Sequence, residues 1–459
     1  MFHIYNTVKR EKQPLIPVEP GKVRIYSCGP TVYNYFHIGN ARPFIVFDTL
    51  RRYLSWSGYE VKFVQNFTDI DDKMILKANA EGVSVKELAD KFIAEYYTDA
   101  DALGIERADV HPRATEHIDA IIKLIETLID KGHAYEVDGD VYFSVASFED
   151  YGKLSGQDME ALDLGARVES SDGKKHPMDF ALWKAQKPGE PAWQSPWGDG
   201  RPGWHIECSA MSMEYLGDTI DIHCGGQDLV FPHHENEVAQ SEAATGRPFV
   251  KYWMHNGYIN IDNRKMSKSA GNFFTVRDIA KEYDLMSVRM FMLSAHYRSP
   301  INFSRELIVQ AKTALDRIKN CRINLVAEAK NGAAADGELL ELLSEAKKSF
   351  AAAMDDDLNT ADAIGVIFDL VRDLNIRFIP GEGAGGAEEA LNMLDELTGV
   401  LGLKLESDEI PQSIYDMAKK RSEARAAKNW AEADRMRDAI KAEGYVVEDT
   451  PDGIKIKKL

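Results

Sequence analysis

From Val23 to Gly58 the chain reads in order as a short apolar strand, VRIYSC, a Gly29-Pro30 turn, the HIGN turn at His37–Asn40 and a helical run, FIVFDTLRRYLSWSG. A second strand-like run, YEVKFVQNFTD from Tyr59 to Asp69, follows at once. Strand, helix, strand commits the segment to a parallel sheet, because parallel neighbours need a crossover and a helix is the usual one. Two chemistries share this unit. Cys28 is a thiol able to serve zinc as thiolate, and nine positions later His37 and the flexible Gly39 can approach a phosphate closely at a strand-to-helix turn. Read alone the pair says little, since an isolated Cys is usually a small buried hydrophobe.

Further along, the strand-helix pattern stops and resumes. The spacing of Ile118, Ile121, Ile122, Ile125, Leu128 and Ile129, with Gly132 as a stop, predicts an amphipathic helix over Thr115–Lys131. Short strands and Gly, Pro and Trp-rich turns fill the stretch from about 133 to 200, which reads as an insertion. DTIDIHCGG (Asp218–Gly226) then reads as a strand, HHENEVAQSEAA as a helix and VKYWMHNGYINI as another strand, so the sheet is split. Beyond about residue 305 the pattern is mainly helical, interrupted by PGEGAGGAEE (Pro380–Glu389). A small unit from about Pro411 pairs a basic helix with a hairpin around Asp452-Gly453. The fold class expected is α/β: a Rossmann-like parallel-sheet catalytic domain split by an insertion, followed by an α-helical bundle and a small C-terminal α+β unit.

Composition narrows the function classes. A chain of 459 residues exceeds one ordinary hydrophobic core, and 44% apolar with 28% charged residues is the balance of a globular protein. No secretory leader and no run of about 18 apolar residues is visible, so a cytoplasmic protein without membrane contact is expected. Four widely spaced cysteines, Cys28, Cys208, Cys224 and Cys321, argue against a disulfide framework. A net charge of -19 excludes a general nucleic-acid coat, so any polyanion must meet a local basic patch. The best patch runs from Lys419 to Lys441 with Lys420, Arg421, Arg425, Lys428, Arg435 and Arg437, although Glu423, Glu432, Asp434 and Asp438 could make it an ordinary solvated face.

A second phosphate element completes the first. KMSKS at residues 265–269 offers Lys265 and Lys268, three apart on a loop, to grip a polyphosphate and stabilise charge developing at phosphorus. HIGN and KMSKS in this order resemble the two signatures of the class I aminoacyl-tRNA synthetases. CGPTVYNYFHIGNAR, GRPGWHIECSAM, DLVFPHHENE, KMSKSAGNF, AAMDDDLNTADAI and ARAAKNWAEADRMRDAI extend the resemblance to the cysteinyl-tRNA synthetases, from the N-terminus to the last hairpin. Asn40 stands where the wider class has a second His, and its amide can still donate to phosphate or ribose. The resemblance implies a catalytic domain in two halves, 1–118 and 201–255, around an insertion at 119–200. It further implies a KMSKS-bearing linking segment at 256–310, a bundle at 311–405 and an anticodon-binding unit at 406–459.

The same resemblance implies ATP-dependent ligation of L-cysteine to its tRNA through a cysteinyl adenylate, by a monomer. ATP with Mg²⁺ would be held by His37, Gly39, Asn40, Lys265 and Lys268, and all of these but Gly39 are the implied catalytic residues. Zinc would select the substrate thiolate. His233 and His234 stand four and three residues before Glu237, so spacing lets either share a helical face with it; the resemblance favours Cys28, Cys208, His233 and Glu237 as ligands. Cys224 is expected to be a bystander. Thr68, Trp204 and Asp228 are implied for the amino-acid and ribose pocket. No editing domain is expected, the insertion being small for one. Two other readings remain: a cysteine ligase of mycothiol biosynthesis, which has no reason to keep the C-terminal unit, and a noncatalytic tRNA-binding zinc protein, which has no need of HIGN with KMSKS.

Overall fold

The computed structural model describes residues 1–157, 173–261, 264–265, 274–379, 384–405, 412–450 and 453–458. The chain divides into two compact units, Met1–Lys404 and Leu405–Leu459. In the larger unit an antiparallel hairpin, β1 (His3–Asn6) with β2 (Glu11–Pro14), precedes β3 (Lys22–Ser27). The helix Ile38–Trp56 then crosses to β4 (Glu60–Gln65), which pairs parallel with β3. The insertion follows as an antiparallel sheet of β5 (Ala134–Val137), β6 (Asp140–Phe143), β7 (Phe180–Ala185) and β8 (Gly200–Pro202), in that order. Beyond it, β9 (Ile220–Gly226) and β10 (Val250–Asn256) return to the first sheet and give the all-parallel order β10-β9-β3-β4. The split parallel sheet expected from the sequence is therefore present.

Both faces of that sheet are covered, as all-parallel sheets require. Tyr26 of β3, Val64 of β4, Ile220 of β9 and Trp253 of β10 share a core with Met211, Leu216 and Val238 from the helices Trp204–Leu216 and Glu235–Thr245. The predicted helix over Thr115–Lys131 is shorter, Ile118–Asp130, behind a 3₁₀ turn at Ala114–Glu116. Its start is displaced because Asp69 accepts from both the amide (2.9 Å) and the hydroxyl (2.6 Å) of Thr115, which holds that turn apart. Ile121, Leu124, Ile125 and Leu128 of this helix pack on Ile206, Ala210, Ala239 and Ala243, so it lies across two later helices.

VKYWMHNGYINI is two strands rather than one. After β10 the chain turns at Gly257-Tyr258 into β11 (Ile259–Ile261), which pairs with β12 (Arg264–Lys265) and β13 (Ile301–Phe303). The helices Arg305–Glu328, Gly337–Asp355, Thr360–Arg377 and Ala387–Val400 pack into the helical region, burying Leu315, Leu325, Phe350, Ile367 and Leu394 among others. The smaller unit packs the helices Gln412–Ala426 and Trp430–Ala442 with the hairpin β14 (Tyr445–Thr450) and β15 (Gly453–Lys458) around Ile414, Ala418, Ile440 and Tyr445. No helix among the described residues is long and apolar enough to cross a membrane.

Candidate active site and metal centre

Where β3 ends, Cys28 leaves the sheet at its C-terminal edge, the edge where open α/β sheets bind ligands. Its neighbour must be glycine: a Cβ on Gly29 would lie 1.6 Å from the carbonyl oxygen of Asn66. The Asn66 side chain instead accepts from the Gly29 amide at 2.9 Å. Three more donors converge on Cys28. Cys208 comes from the second turn of the helix Trp204–Leu216, His233 from the π-helical turn Val230–His234, and Glu237 from the first turn of Glu235–Thr245. The donor atoms of Cys28, Cys208, His233 and Glu237 all lie within 4.8 Å of one another, and all four residues are buried. The Cys28 sulfur is 3.9 Å from that of Cys208 and 3.6 Å from Glu237 Oε1, and His233 Nε2 is 3.1 Å from the same oxygen.

Charge in this cluster is strongly displaced from solution values. Burial pushes the Cys28 thiol well up, with the Cys208 sulfur adding to it, whereas the hydrogen bond from Cys28 draws Cys208 down toward thiolate. Burial would raise Glu237, but His223 and His233 outweigh it and hold the carboxyl at about 2. Burial likewise opposes protonation of His233, yet Glu237 and Cys208 lift it to about 10. Two sulfurs, one imidazole and one carboxylate, dry and converging, form a donor set suited to a borderline-soft divalent cation.

A second set overlaps the first. Cys28, His223, His234 and Glu237 also bring their donor atoms within 4.8 Å of one another. Cys28 Sγ lies 3.3 Å from His234 Nε2, and His223 Nε2 lies 2.8 Å from Glu237 Oε2. Two further ring nitrogens are engaged: His234 Nδ1 meets His255 Nε2 at 2.8 Å, and His233 Nδ1 meets His205 Nδ1 at 2.9 Å, whereas the buried Nδ1 of His223 has no partner among the described residues. His205, His223 and His255 were not singled out by the sequence. Their only signal was position: His223 lies mid-way along β9, the neighbour of β3, His255 lies near the C-terminal end of β10, the neighbour of β9, and His205 lies in the first turn of the helix that carries Cys208. Cys224 belongs to neither set; its buried sulfur meets the carbonyl of Tyr26 at 3.4 Å.

Above the cluster opens a cavity of about 420 Å³ lined by Cys28, His37, Gly39, Asn40, Trp204 and Asp228, among others. His37 is the N-cap of the helix Ile38–Trp56, and its Nδ1 accepts from the Asn40 amide at 3.3 Å. In the neutral ring that contact leaves the proton on Nε2. Residues 36–38 bond in turn to 274–276, through Ile38 N to Phe274 O and Val276 N to Phe36 O, both 3.1 Å. The start of the HIGN helix is thus joined to the chain at 274–276, which follows the second signature in sequence. Lys265 ends β12, and Lys268 lies outside the described residues. Trp204 covers His233 with 4.3 Å between ring centres. Thr68 is buried rather than lining the cavity, its hydroxyl 3.4 Å from the Asn66 amide nitrogen.

Comparison with known proteins gives one family across the whole chain. Residues 14–313 match the family described as tRNA synthetases class I (C) catalytic domain, 349–406 the DALR domain, and 407–456 the cysteinyl-tRNA ligase anticodon binding domain. The chain is 58% identical to a cysteine-tRNA ligase of Symbiobacterium thermophilum, over 100% of its own length and 99% of that protein. It is 56% identical to one of Caldicellulosiruptor saccharolyticus, over 99% of each. In fold it is similar to Mycobacterium tuberculosis methionyl-tRNA synthetase in complex with methionyl-adenylate, with a TM-score of 0.60 at 19% identity, covering 83% of this chain and 89% of that one.

Proposed function

This chain belongs to the cysteine-specific family of class I aminoacyl-tRNA synthetases, and from that membership we propose that it uses ATP to ligate L-cysteine to its cognate tRNA. The observation that carries the reading is a single cavity joining Cys28, at the edge of a buried four-donor cluster, to the helix start at His37–Asn40. A cysteine bound there has its thiol at one end of the cavity and its carboxylate toward the nucleotide end. That carboxylate is already ionised, so its attack on the α-phosphorus of ATP needs no general base. The new bond is P–O to the amino acid, and the bond broken releases pyrophosphate.

Catalysis in this scheme is alignment and charge stabilisation. His37 and Asn40, at the helix N-terminus, are assigned to the ATP phosphates, where amide dipoles favour an anion. Lys265 and Lys268 are assigned to the leaving pyrophosphate, with Mg²⁺ as the counterion that ATP brings. Trp204 would close the amino-acid pocket over His233 and Asp228 would hold substrate or ribose, while Thr68, expected to line that pocket, lies buried behind the cavity wall beside Asn66. In the second step the terminal ribose hydroxyl of the tRNA takes the acyl group and AMP leaves.

Cys28, Cys208, His233 and Glu237 are the proposed zinc ligands, because this set alone offers two sulfurs, which softer cations prefer over the single sulfur of the overlapping set. Zinc bound by these four would accept the substrate thiolate far better than a serine hydroxyl, and ten-thousandfold discrimination, enough to make editing unnecessary, corresponds to about 5.5 kcal/mol. The match of residues 407–456 to an anticodon binding domain speaks against a ligase that joins cysteine to an amino sugar. The experiment is cysteine-dependent ATP-pyrophosphate exchange followed by transfer. Exchange and charging of tRNA are expected. Transfer to an amino sugar but not to tRNA overturns the acceptor, and absence of exchange overturns the enzyme.

A further inference from the structure

Arg42 lies two residues beyond Asn40 on the helix Ile38–Trp56 and is fully buried. Its guanidinium grips four backbone carbonyls. Nη1 donates to Gly257 O (2.7 Å) and Tyr258 O (3.1 Å), and Nη2 to His296 O (3.2 Å) and Ser299 O (2.6 Å). Among the described residues no carboxylate pairs with it, so burial lowers it to about 10 with nothing to oppose the shift. The contrast is Arg289, equally buried, whose Nη2 meets the Asp48 carboxylate at 2.5 Å. A buried cation without an anion is costly, and carbonyl dipoles compensate only while all of them stay aimed at it.

Those four carbonyls belong to two segments already joined. Gly257 N donates to Tyr297 O (2.9 Å) and Ile301 N to Tyr258 O (3.0 Å). No side chain fits at the corner, since a Cβ on Gly257 would lie 2.7 Å from Arg298 O and 2.9 Å from Pro300 N. The corner matters because Asn256, Gly257, Tyr258 and Ile259 line the same cavity as His37, Gly39 and Asn40. Gly257-Tyr258 also leads directly into β11, whose partner β12 ends on Lys265, the first residue of KMSKS.

We propose that Arg42 is a positioning residue for ATP: it locks the Gly257-Tyr258 corner to the helix that begins at HIGN and so fixes the width of the nucleotide side of the cavity. Arginine suits this task, because its planar fork addresses several carbonyls at once, whereas lysine is a point charge with fewer fixed directions. The role depends on the functional reading above, and the two can fail separately. Lack of cysteine-dependent exchange in the wild type refutes that reading, whereas the variants below address Arg42 alone.

The test is exchange kinetics with Arg42→Met, Arg42→Lys and Gly257→Ala, alongside metal content and thermal midpoint. A displacement of the corner by about an ångström should raise KM for ATP or lower kcat by about tenfold to a hundredfold. KM for cysteine and metal content should stay within about twofold, because the thiol end of the cavity is held by other elements. Arg42→Lys should recover part of the loss, and Gly257→Ala, which moves the same corner without touching charge, should reproduce it. Normal ATP kinetics in Arg42→Met despite a lower thermal midpoint overturns the proposal, as does an equal rise in both KM values. Should Arg42→Met fail to fold, Gly257→Ala decides, and wild-type ATP kinetics in that variant overturn it.

Discussion

Two adjacent histidines mark the limit of what residue spacing can say. His233 and His234 both reach the donor cluster, because positions four and three residues before Glu237 share its helical face, at 3.1 Å and 3.9 Å. Donor softness decides between them in our reading, and mutation can check it. His233→Ala should lower zinc content and raise KM for cysteine, while His234→Ala should keep the metal; elemental analysis showing the opposite would move the ion to the His223/His234 set. Cys208→Ser, which removes the second sulfur, should behave like His233→Ala. A different residue gives a pH prediction away from the metal. Burial lowers His111 to about 4, and its ring is committed to the neutral form, with Nε2 accepting from Ala108 N at 3.1 Å and Nδ1 donating to Gln65 O at 2.9 Å. The unfolded chain protonates this residue near ~6.5, so stability present above that value is lost as pH falls from ~6.5 through ~4. His111→Asn should therefore show a smaller drop in thermal midpoint between ~pH 7.5 and ~pH 5 than the wild type. Parallel pH profiles would remove His111 as the cause.

Elements carry the site as much as residues do. The helix Ile118–Asp130 holds no proposed ligand, yet its buried face packs on Ala210, Ala239 and Ala243 of the two helices that bring Cys208 and Glu237. Ile125 is fully buried in this contact. Its replacement by alanine should cost about 2–5 kcal/mol of stability. It should also hasten release of zinc to a chelator, measured with a metal-sensitive dye; destabilisation with unchanged release would make the helix a bystander to the metal. Periodicity read this helix well, because one apolar stripe facing one core is a local pattern. Gly257-Tyr258 was illegible for the opposite reason. VKYWMHNGYINI carries a turn-prone Asn256-Gly257 pair between apolar stretches, but the groups that hold the corner, a turn at 296–301 and Arg42, lie far away in sequence. The histidine cluster shares that cause: His223 and His255 arrive on β9 and β10 and His205 on the helix Trp204–Leu216, all far from Cys28 in sequence. Spacing-based motifs such as HIGN were legible because chemistry and position lie within one turn of chain.

For the whole molecule the governing quantity is charge. A protein of net charge -19 repels a polyanion at long range, so tRNA must be held by local cations that overcome this field. In the C-terminal unit part of the basic run is internally satisfied, since Arg435 pairs with Glu432 at 2.8 Å and Arg437 with Asp434 at 2.9 Å. Lys419, on the helix Gln412–Ala426, and Lys428, beyond its end, are both exposed. Lys428 also has a left-handed backbone, φ 58°, which turns the chain sharply between the two helices. If these two lysines contact phosphate, log affinity should fall linearly with log salt, and losing both contacts should reduce the slope by about 1.4 to 1.8. Lys419→Glu with Lys428→Glu should raise KM for tRNA in charging assays while leaving cysteine-dependent pyrophosphate exchange unchanged, because exchange uses the cavity in the other compact unit. An unchanged salt slope would return this part of the helix to an ordinary solvated face, and the tRNA would have to be gripped by the remaining cations of the run.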